Sequence, residues 1–403
     1  MKENIFYQIK NKISIFINRE LLHSTFIPEI LPHRDKEIRE IASIIQPIFQ
    51  KQTPSNIIIY GKPGTGKTVT VKNVGSQIND FYKNVRYIHI NCQIINTQYR
   101  VLQNIIEEVS STKKIPFTGL PTDKLYKEII KILGKQNVDI IVALDEVDRL
   151  KDDSIIYTLT RINTDLKESK ISLICIANNL RYTDFLDPRI KSSLSQETIV
   201  FKPYDAKQLE DILYQRAKIA IKKDVIDDGV ISLCAALAAQ EHGDARKALN
   251  LLRISATIAE RNNDEKITRT HVIIAHNKNE NNRIKEIVEN LPYQMKILIN
   301  AIIKLEKTQN KQNEQIKITT GEIYHMYTQL CRQEKYQILS QRRITDFITE
   351  LDSMGIINAR KISKGRKGNT REIKTSIKSN LLNSIIKNDC SKEIKYLKQT
   401  SII

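Results

Sequence analysis

The sequence predicts an α/β domain on a buried parallel sheet, then a helical lid domain, then a C-terminal winged-helix domain, and three observations predict it. Short apolar runs without polar alternation recur between longer amphipathic stretches in the first half, as strands covered on both faces require. A glycine-rich loop of phosphate-binding pattern follows the first of those runs. The last third carries an amphipathic helix and then two β-like runs around a basic turn. The 403 residues suffice for two to three domains at roughly 100–200 residues each. With 40% hydrophobic and 27% charged residues, a disordered or fibrous chain is excluded.

Charge narrows the partner. Sixty-four Lys and Arg against 46 Asp and Glu leave +18, and residues 281–403 alone hold 23 basic and 12 acidic side chains. Such a surplus points to a polyanion, nucleic acid before an anionic membrane surface. An Ile-, Asn- and Lys-rich composition of the kind an AT-rich genome produces inflates that charge, so charge alone does not carry the inference.

Taken in order, the N-terminal MKENIFYQIKNKISIFINRE has no uninterrupted apolar core and is not expected to act as a secretory signal. No run approaches the ~20 apolar residues of a spanning helix. Residues 1–20 read as an arm. Pro28 and Pro32 interrupt a helical pattern that resumes from Arg34 to Gln50. Strands are predicted at 56–60, 85–91, 139–145 and 171–178, and ETIVFKPY at 197–204 ends the strand signal, so the nucleotide domain spans 21–204. Helices predicted at 206–222, 227–240, 244–262 and 268–278 make the lid domain, 205–280. The polar stretch NKNENNRIKE at 277–286 reads as a linker into the 281–403 domain, which ends in a basic tail. Cys92, Cys175, Cys234, Cys331 and Cys390 are scattered without a C-x-x-C pair, so no structural zinc is expected and the thiols read as reduced in a cytoplasmic protein.

The chemistry begins after NIIIY with GKPGTGKT, residues 61–68, followed by the helical VTVKNVGSQI. Gly61, Gly64 and Gly66 let the backbone curl so that its N–H groups face phosphate oxygens at the positive end of the next helix. Lys62, Pro63, Thr65 and Val69 are placed with them against the nucleotide. Lys67 is expected to reach the β- and γ-phosphates and Thr68 the magnesium. Downstream, DIIVALDEVD ends a buried strand in Asp145, which can hold the magnesium, and Glu146, which can polarise the attacking water. Asn178, closing ISLICIAN, can orient that water; an ordinary strand-end asparagine is the alternative. The cofactors expected are ATP or ADP with Mg2+.

Phosphate loop, Asp-Glu strand, strand-end Asn and helical lid in this order resemble an AAA+ ATPase. The segments LPHRDKEI, PSNIIIYGKPGTGKT, NNLRYTDFLDPRIKSSL, IVFKPYDAKQLEDIL and GDARKALNLL narrow the resemblance to the archaeal origin-recognition initiators, related to eukaryotic origin-recognition subunits and their helicase-loading paralogue. The resemblance covers the chain from about residue 20 to 377. It implies that Arg246 is the lid arginine sensing the γ-phosphate and Asn178 the strand-end sensor. It also implies that Tyr204 and Arg216 line the nucleotide and that Pro32, His33 and Arg34 form the adenine-side wall. Arg189 resembles an arginine finger completing a neighbour's site in trans, a structural salt bridge being the alternative. By the same resemblance hydrolysis is slow and regulatory, and nucleotide state governs helicase recruitment. The partners implied are double-stranded origin DNA, the replicative helicase and paralogous initiators; no membrane is implied, and the place is the nucleoid. An inserted DNA-contacting element would fall between Asn91 and Thr122, where Lys113 and Lys114 speak for it.

In LSQRRITDFITELDSMGIINARKISKGRKGNTREIKTSI, Ile344, Phe347, Ile348 and Leu351 repeat at helical spacing, with Ser340 as N-cap and Gly355 as the stop. Gln341, Arg342, Arg343 and Thr345 occupy the other face. The turn between IINARKI and TREIKTSI places Lys364, Arg366 and Lys367 at a tip. A helix so placed can enter the major groove, while Arg366 enters the adjoining minor groove and the lysines hold phosphates. GRKGNT is similar to the family's wing. A protein-docking wing is the alternative, and two rival functions stay open: an ATP-sensing transcription regulator or plasmid-type DNA-binding protein, and a motor or clamp-loader-like ATPase acting on protein rings.

Overall fold

A computed structural model describes residues 14–110, 120–194, 196–312, 318–333, 335–363 and 369–377, with Leu382 and Ile385. Lys113, Lys114, Lys364, Arg366 and Lys367 lie outside the described residues. The chain divides into two compact units, Met1–Ala275 and His276–Ile403.

The first unit is built on five parallel strands: β1 (Asn56–Gly61), β2 (Val85–Asn91), β3 (Asp139–Asp145), β4 (Ile171–Ala177) and β5 (Gln196–Phe201), in the order β2-β3-β4-β1-β5. Helices α1 (Asp35–Ile45), α2 (Lys67–Phe81), α3 (Gln98–Val109), α4 (Thr122–Gln136), α5 (Ser154–Arg161) and α6 (Pro188–Leu194) cover it. Alternate strand residues serve the two faces. Ile58, Ile88, Val142 and Leu173 pack with α3, α4 and α5, whereas Ile57, Ile59, Ile141 and Ile174 pack with α1 and α2. Both faces being dry, β3 and β4 are buried at every residue, which is why DIIVALD and ISLICIA lack polar alternation. The carboxyl ends of β1, β3 and β4 then open together onto one crevice.

The lid helices are α7 (Ala206–Ala220), α8 (Val230–Gln240), α9 (Ala245–Asn262) and α10 (Arg269–Glu289). Asp205 opens α7 with a capping box, accepting from the Gln208 N–H at 2.8 Å while the Gln208 amide oxygen accepts from the Asp205 N–H at 3.1 Å. The described part of the N-terminal arm belongs to this core. Ile15, Phe16 and Leu22 are buried with Leu209, Leu213 and Leu252, and the Ile17 N–H donates to Ala220 O at 2.8 Å.

The second unit contains α11 (Tyr293–Gln312), α12 (Thr320–Gln333), α13 (Gln341–Ser353) and an antiparallel pair, β6 (Ile357–Ser363) with β7 (Asn369–Thr375). Leu298, Ile302, Tyr327, Ile344, Ile348, Leu351 and Ile373 form its centre. Ser340 caps α13 through the Arg343 N–H at 3.4 Å, and Gly355 stops it with φ +73°. The linker expected at 277–286 follows directly on the division between the two units and is itself helical, as part of α10. Nothing in the stretch breaks a helix, Arg283–Glu280 and Lys285–Glu289 pair along it at 3.9 Å each, and Ile284, Ile287 and Val288 lean on the second core. Among the described residues no helix is long and apolar enough to cross a membrane.

One contact fixes how closely α2 approaches the sheet. A Cβ at Gly75 would run into the Tyr87 ring on β2. Gly75→Ala in an open helix would gain up to about 1 kcal/mol, whereas here the clash is expected to cost about 1–3 kcal/mol. A lowered urea midpoint with unchanged slope checks this; a raised midpoint would show that Tyr87 swings aside freely.

Candidate nucleotide site

The loop between β1 and α2 has its shape enforced from outside. Gly64 and Gly66 take φ of +77° and +90°, a region that strains other L-residues. A Cβ at Gly66 would meet the Tyr204 hydroxyl, and one at Gly64 the Asp244 carboxylate. Behind the loop lies Arg34, buried to 4% exposure. Its Nε donates to Thr65 O at 3.1 Å and to the Tyr204 hydroxyl at 3.0 Å, and its Nη2 to Thr65 O and Lys202 O at 2.8 Å each. Its Nη1 pairs with Glu37 at 2.8 Å, and the guanidinium lies 4.0 Å from the centroid of the Tyr204 ring.

In front of the loop, Lys67 Nζ donates to Gly61 O at 2.7 Å, Lys62 O at 3.0 Å and Asn178 Oδ1 at 2.9 Å. Burial, then the nearby Arg246 charge, pushes the Lys67 ammonium down to about 8 against the pull of Asp145, Asp148 and Glu146. The Thr68 hydroxyl donates to Asp145 Oδ2 at 2.9 Å and the Glu146 N–H to Oδ1 at 3.1 Å. Burial opposes ionisation of Asp145, yet the His89 imidazole, the Thr68 hydroxyl and the Glu146 N–H together hold its carboxyl below the usual value. Glu146 itself is left-handed at φ +56°, ψ +48°, strain of about 1–3 kcal/mol of the kind that collects at functional sites. Loop N–H groups at a helix start, an ammonium, and paired hydroxyl and carboxylate oxygens fit a nucleotide with its magnesium.

The lid supplies the remaining wall. Asp244 Oδ1 accepts from the Arg246 N–H at 2.8 Å and caps α9, and the Ala245 N–H donates to Gly64 O at 3.1 Å. The first turn of α9 is thereby tied to the loop, which delivers Arg246 to the cleft.

Of the residues singled out by sequence, Pro63 to Thr68, Asp145, Glu146, Asn178 and Arg246 line one cleft of about 230 Å³. Gly61 and Lys62 present their carbonyls to Lys67, Val69 lies half-buried in the first turn of α2, and Tyr204 lies against Gly66. Arg216 is not brought to the cleft lining. It is buried, lies 4.5 Å over the Phe26 ring, and donates to Phe26 O at 3.2 Å and His23 O at 3.5 Å. Arg189 is exposed, 3.8 Å from Asp187 Oδ1, and is also absent from the lining. Arg342 and Arg343 are exposed at the start of α13, Arg343 lying 4.8 Å over Phe347.

Gln93 and Arg149 line the cleft without having been read from sequence, although Arg149 directly follows the DEVD run. The Asp244 cap was legible as an Asp before a helix start. Arg34 carries no local signal for its role, because the groups it holds lie far along the chain.

Comparison with known proteins supports the three-part architecture. Family models described as "AAA domain", "Cdc6 AAA+ ATPase-type lid domain" and "CDC6, C terminal winged helix domain" match residues 50–182, 210–277 and 286–384. The ORC1-type DNA replication protein of Thermococcus onnurineus is 44% identical over 396 residues, 96% of this chain and 94% of that protein. The ORC1-type DNA replication protein 1 of Archaeoglobus fulgidus is 46% identical over 392 residues, again 96% and 94%. The Aeropyrum pernix ORC1 protein solved in complex with DNA superposes with TM-score 0.69 at 37% identity, covering 93% of this chain and 97% of that one. A chain of Drosophila ORC bound to DNA, at 21% identity, TM-score 0.60 and coverage of 94% and 92%, shares the fold.

Arg34→Ala is expected to lower stability by about 3 kcal/mol, since it strands groups that a buried charge satisfied. Affinity for a fluorescent ADP is expected to fall about tenfold, equivalent to about 1.4 kcal/mol. Arg34→Lys keeps the charge without the fork and is expected to recover little. Nucleotide affinity equal to the parent's in both variants would show that the loop holds its shape alone.

Proposed function

The chain belongs to the family of ORC1-type DNA replication proteins, and on that premise we propose that it is an ATP-binding replication initiator. It recognises duplex origin DNA through its winged helix and AAA+ domain, and ATP binding with slow hydrolysis switches recruitment of the replicative helicase. The observation that carries this reading is the meeting of Lys67, Asp145, Asn178 and the lid's Arg246 in one cleft of a chain that also carries a winged helix.

In this reading the loop N–H groups and Lys67 bind the β- and γ-phosphates, and Tyr204 supports the loop from behind. Thr68 and Asp145 hold the magnesium, which neutralises phosphate charge. Glu146 polarises the attacking water, Asn178 orients it, and Arg246 senses the γ-phosphate from the lid. Arg216, assigned to the nucleotide by the resemblance alone, holds the backbone at Phe26. The exposure of Arg189 suits a finger offered to a neighbouring protomer. The nucleotide, lid and DNA-binding domains are assigned to 21–204, 205–280 and 281–403.

DNA is assigned to Arg342 and Arg343 on α13 and to Lys364, Arg366 and Lys367 in the sequence between β6 and β7. A relative at 37% identity was solved in complex with DNA, which supports this partner. The helicase and paralogous initiators follow from the family, as does a place on the nucleoid in the cytoplasm.

Lys67→Ala is expected to abolish ATP binding while duplex affinity persists. Arg366→Ala is expected to weaken duplex binding and reduce its salt slope by about 1. Crosslinking and sequencing of DNA bound in the native cells, parent against Arg366→Ala, decides the biology. Wing-dependent peaks at replication start sites are expected; peaks at promoters would make the protein a regulator, and no discrete peaks would favour action on protein rings.

A further inference from the structure

Beyond the residues assigned so far, we infer that His89 is a positioning residue for the magnesium site, acting through the Asp145 carboxylate; the inference rests on the ATP-binding reading above. β2 and β3 run parallel with His89 opposite Ala143 and Asn91 opposite Asp145. In-register neighbours share a sheet face, so Tyr87, His89 and Asn91 lie on the same face as Ala143 and Asp145. That face is the one packed by α2, whose first turn carries Thr68.

Around His89 that face is mainly apolar, built from Val85, Ile141, Ala143, Ile174 and Ile176, with Tyr87 and Ser172 among them and the polar Asn91 and Asp145 at its carboxyl end. An imidazole there needs a reason. His89 is mostly buried, its Nε2 lies 3.3 Å from Asp145 Oδ2, and that nitrogen is buried with no partner in hydrogen-bond geometry. Distance is therefore satisfied and angle is not. A buried donor held off geometry is costly, and alignment on Asp145 Oδ2, 3.3 Å away, would remove that cost.

The other contacts of Asp145 show what this alignment would complete. Oδ1 accepts from the Glu146 N–H, and Oδ2 from the Thr68 hydroxyl. Those two donors come from the end of the carboxylate's own strand and from the phosphate-loop helix. His89 adds a donor from the neighbouring strand and fixes the carboxylate plane from a third direction, with the proton on Nε2. Partners of this kind set the affinity of a metal they never touch.

The test uses the full chain with ADP and Mn2+ as a paramagnetic probe. His89→Leu removes the donor and keeps an apolar filler, whereas His89→Gln presents an amide N–H at the reach of Nε2. Electron paramagnetic resonance titration is expected to show Mn2+ binding to the His89→Leu ADP complex about tenfold weaker than to the parent. His89→Gln is expected to recover most of that loss, with fluorescent-ADP affinity in EDTA unchanged in both. Parent-like Mn2+ affinity in His89→Leu would overturn the inference. So would equal weakening in both variants accompanied by a matching fall in melting temperature, the signature of a packing role. If the parent itself bound no ADP, the ATP-binding reading would be what fails.

Discussion

The conformation of the phosphate loop depends on one buried side chain. A five-residue turn with two positive-φ glycines has little reason to hold one shape in water, because fixing each residue costs about 1–2 kcal/mol of backbone entropy. Arg34 meets that cost by grasping the Thr65 carbonyl with two nitrogens while its remaining donors reach Lys202 O, Glu37 and the Tyr204 hydroxyl. The loop, α1 and the segment leaving β5 are thus fastened to a single planar cation. A guanidinium suits the task because its fork is rigid and it cannot lose its proton.

With the loop fixed from behind, the charges in front of it are arranged rather than balanced. Lys67, Arg246 and Arg149 face the cleft together, and burial plus the Arg246 charge already disfavours the ammonium of Lys67. Asp145, Glu146 and Asp148 counter this from one strand end. In the reading proposed here an incoming polyphosphate relieves the repulsion between Lys67 and Arg246, whereas the Asp145 carboxylate is already held in its charged form by its donors. The site is thus charged and oriented before a nucleotide arrives, which is electrostatic preorganisation in a physical sense.

The parts legible in the sequence were those whose physics is local. β3 and β4 read as unbroken apolar runs because both faces are dry, and GKPGTGKT reads as a loop because glycine marks positive φ. Ser340 and Gly355 declared the ends of α13 by the same logic. What escaped depends on distance along the chain. Arg34 serves Thr65 and Tyr204, 31 and 170 residues away, and Arg216 serves Phe26, 190 residues away. The arm at Ile15 and Phe16 read only as an arm ahead of the nucleotide domain, since nothing near it shows that Ile221 of the lid awaits it as a bridge partner. At 277–286 polarity marked the junction, which lies between the matched lid and winged-helix regions, but not its helical form: polar residues without Gly or Pro continue a helix readily when one side of it is buried.

The glycines of the site finally bear on how nucleotide state reaches the lid. Gly64, Gly66 and Gly243 all have positive φ, and at each of them another element stands where a Cβ would be: Asp244 at Gly64, Tyr204 at Gly66, and the Tyr204 backbone at Gly243. The small residues of the loop thus admit the lid from one side as well as phosphate from the other. The Ala245 N–H bonded to Gly64 O and the His33–Asp211 pair at 2.8 Å add two further ties between the lobes. In the reading proposed here, a phosphate drawn into the loop acts on the same few atoms that seat α9, so a change at Gly64 cannot leave Arg246 where it was. Coupling between site and lid then needs no separate relay, because one loop is the contact surface for both.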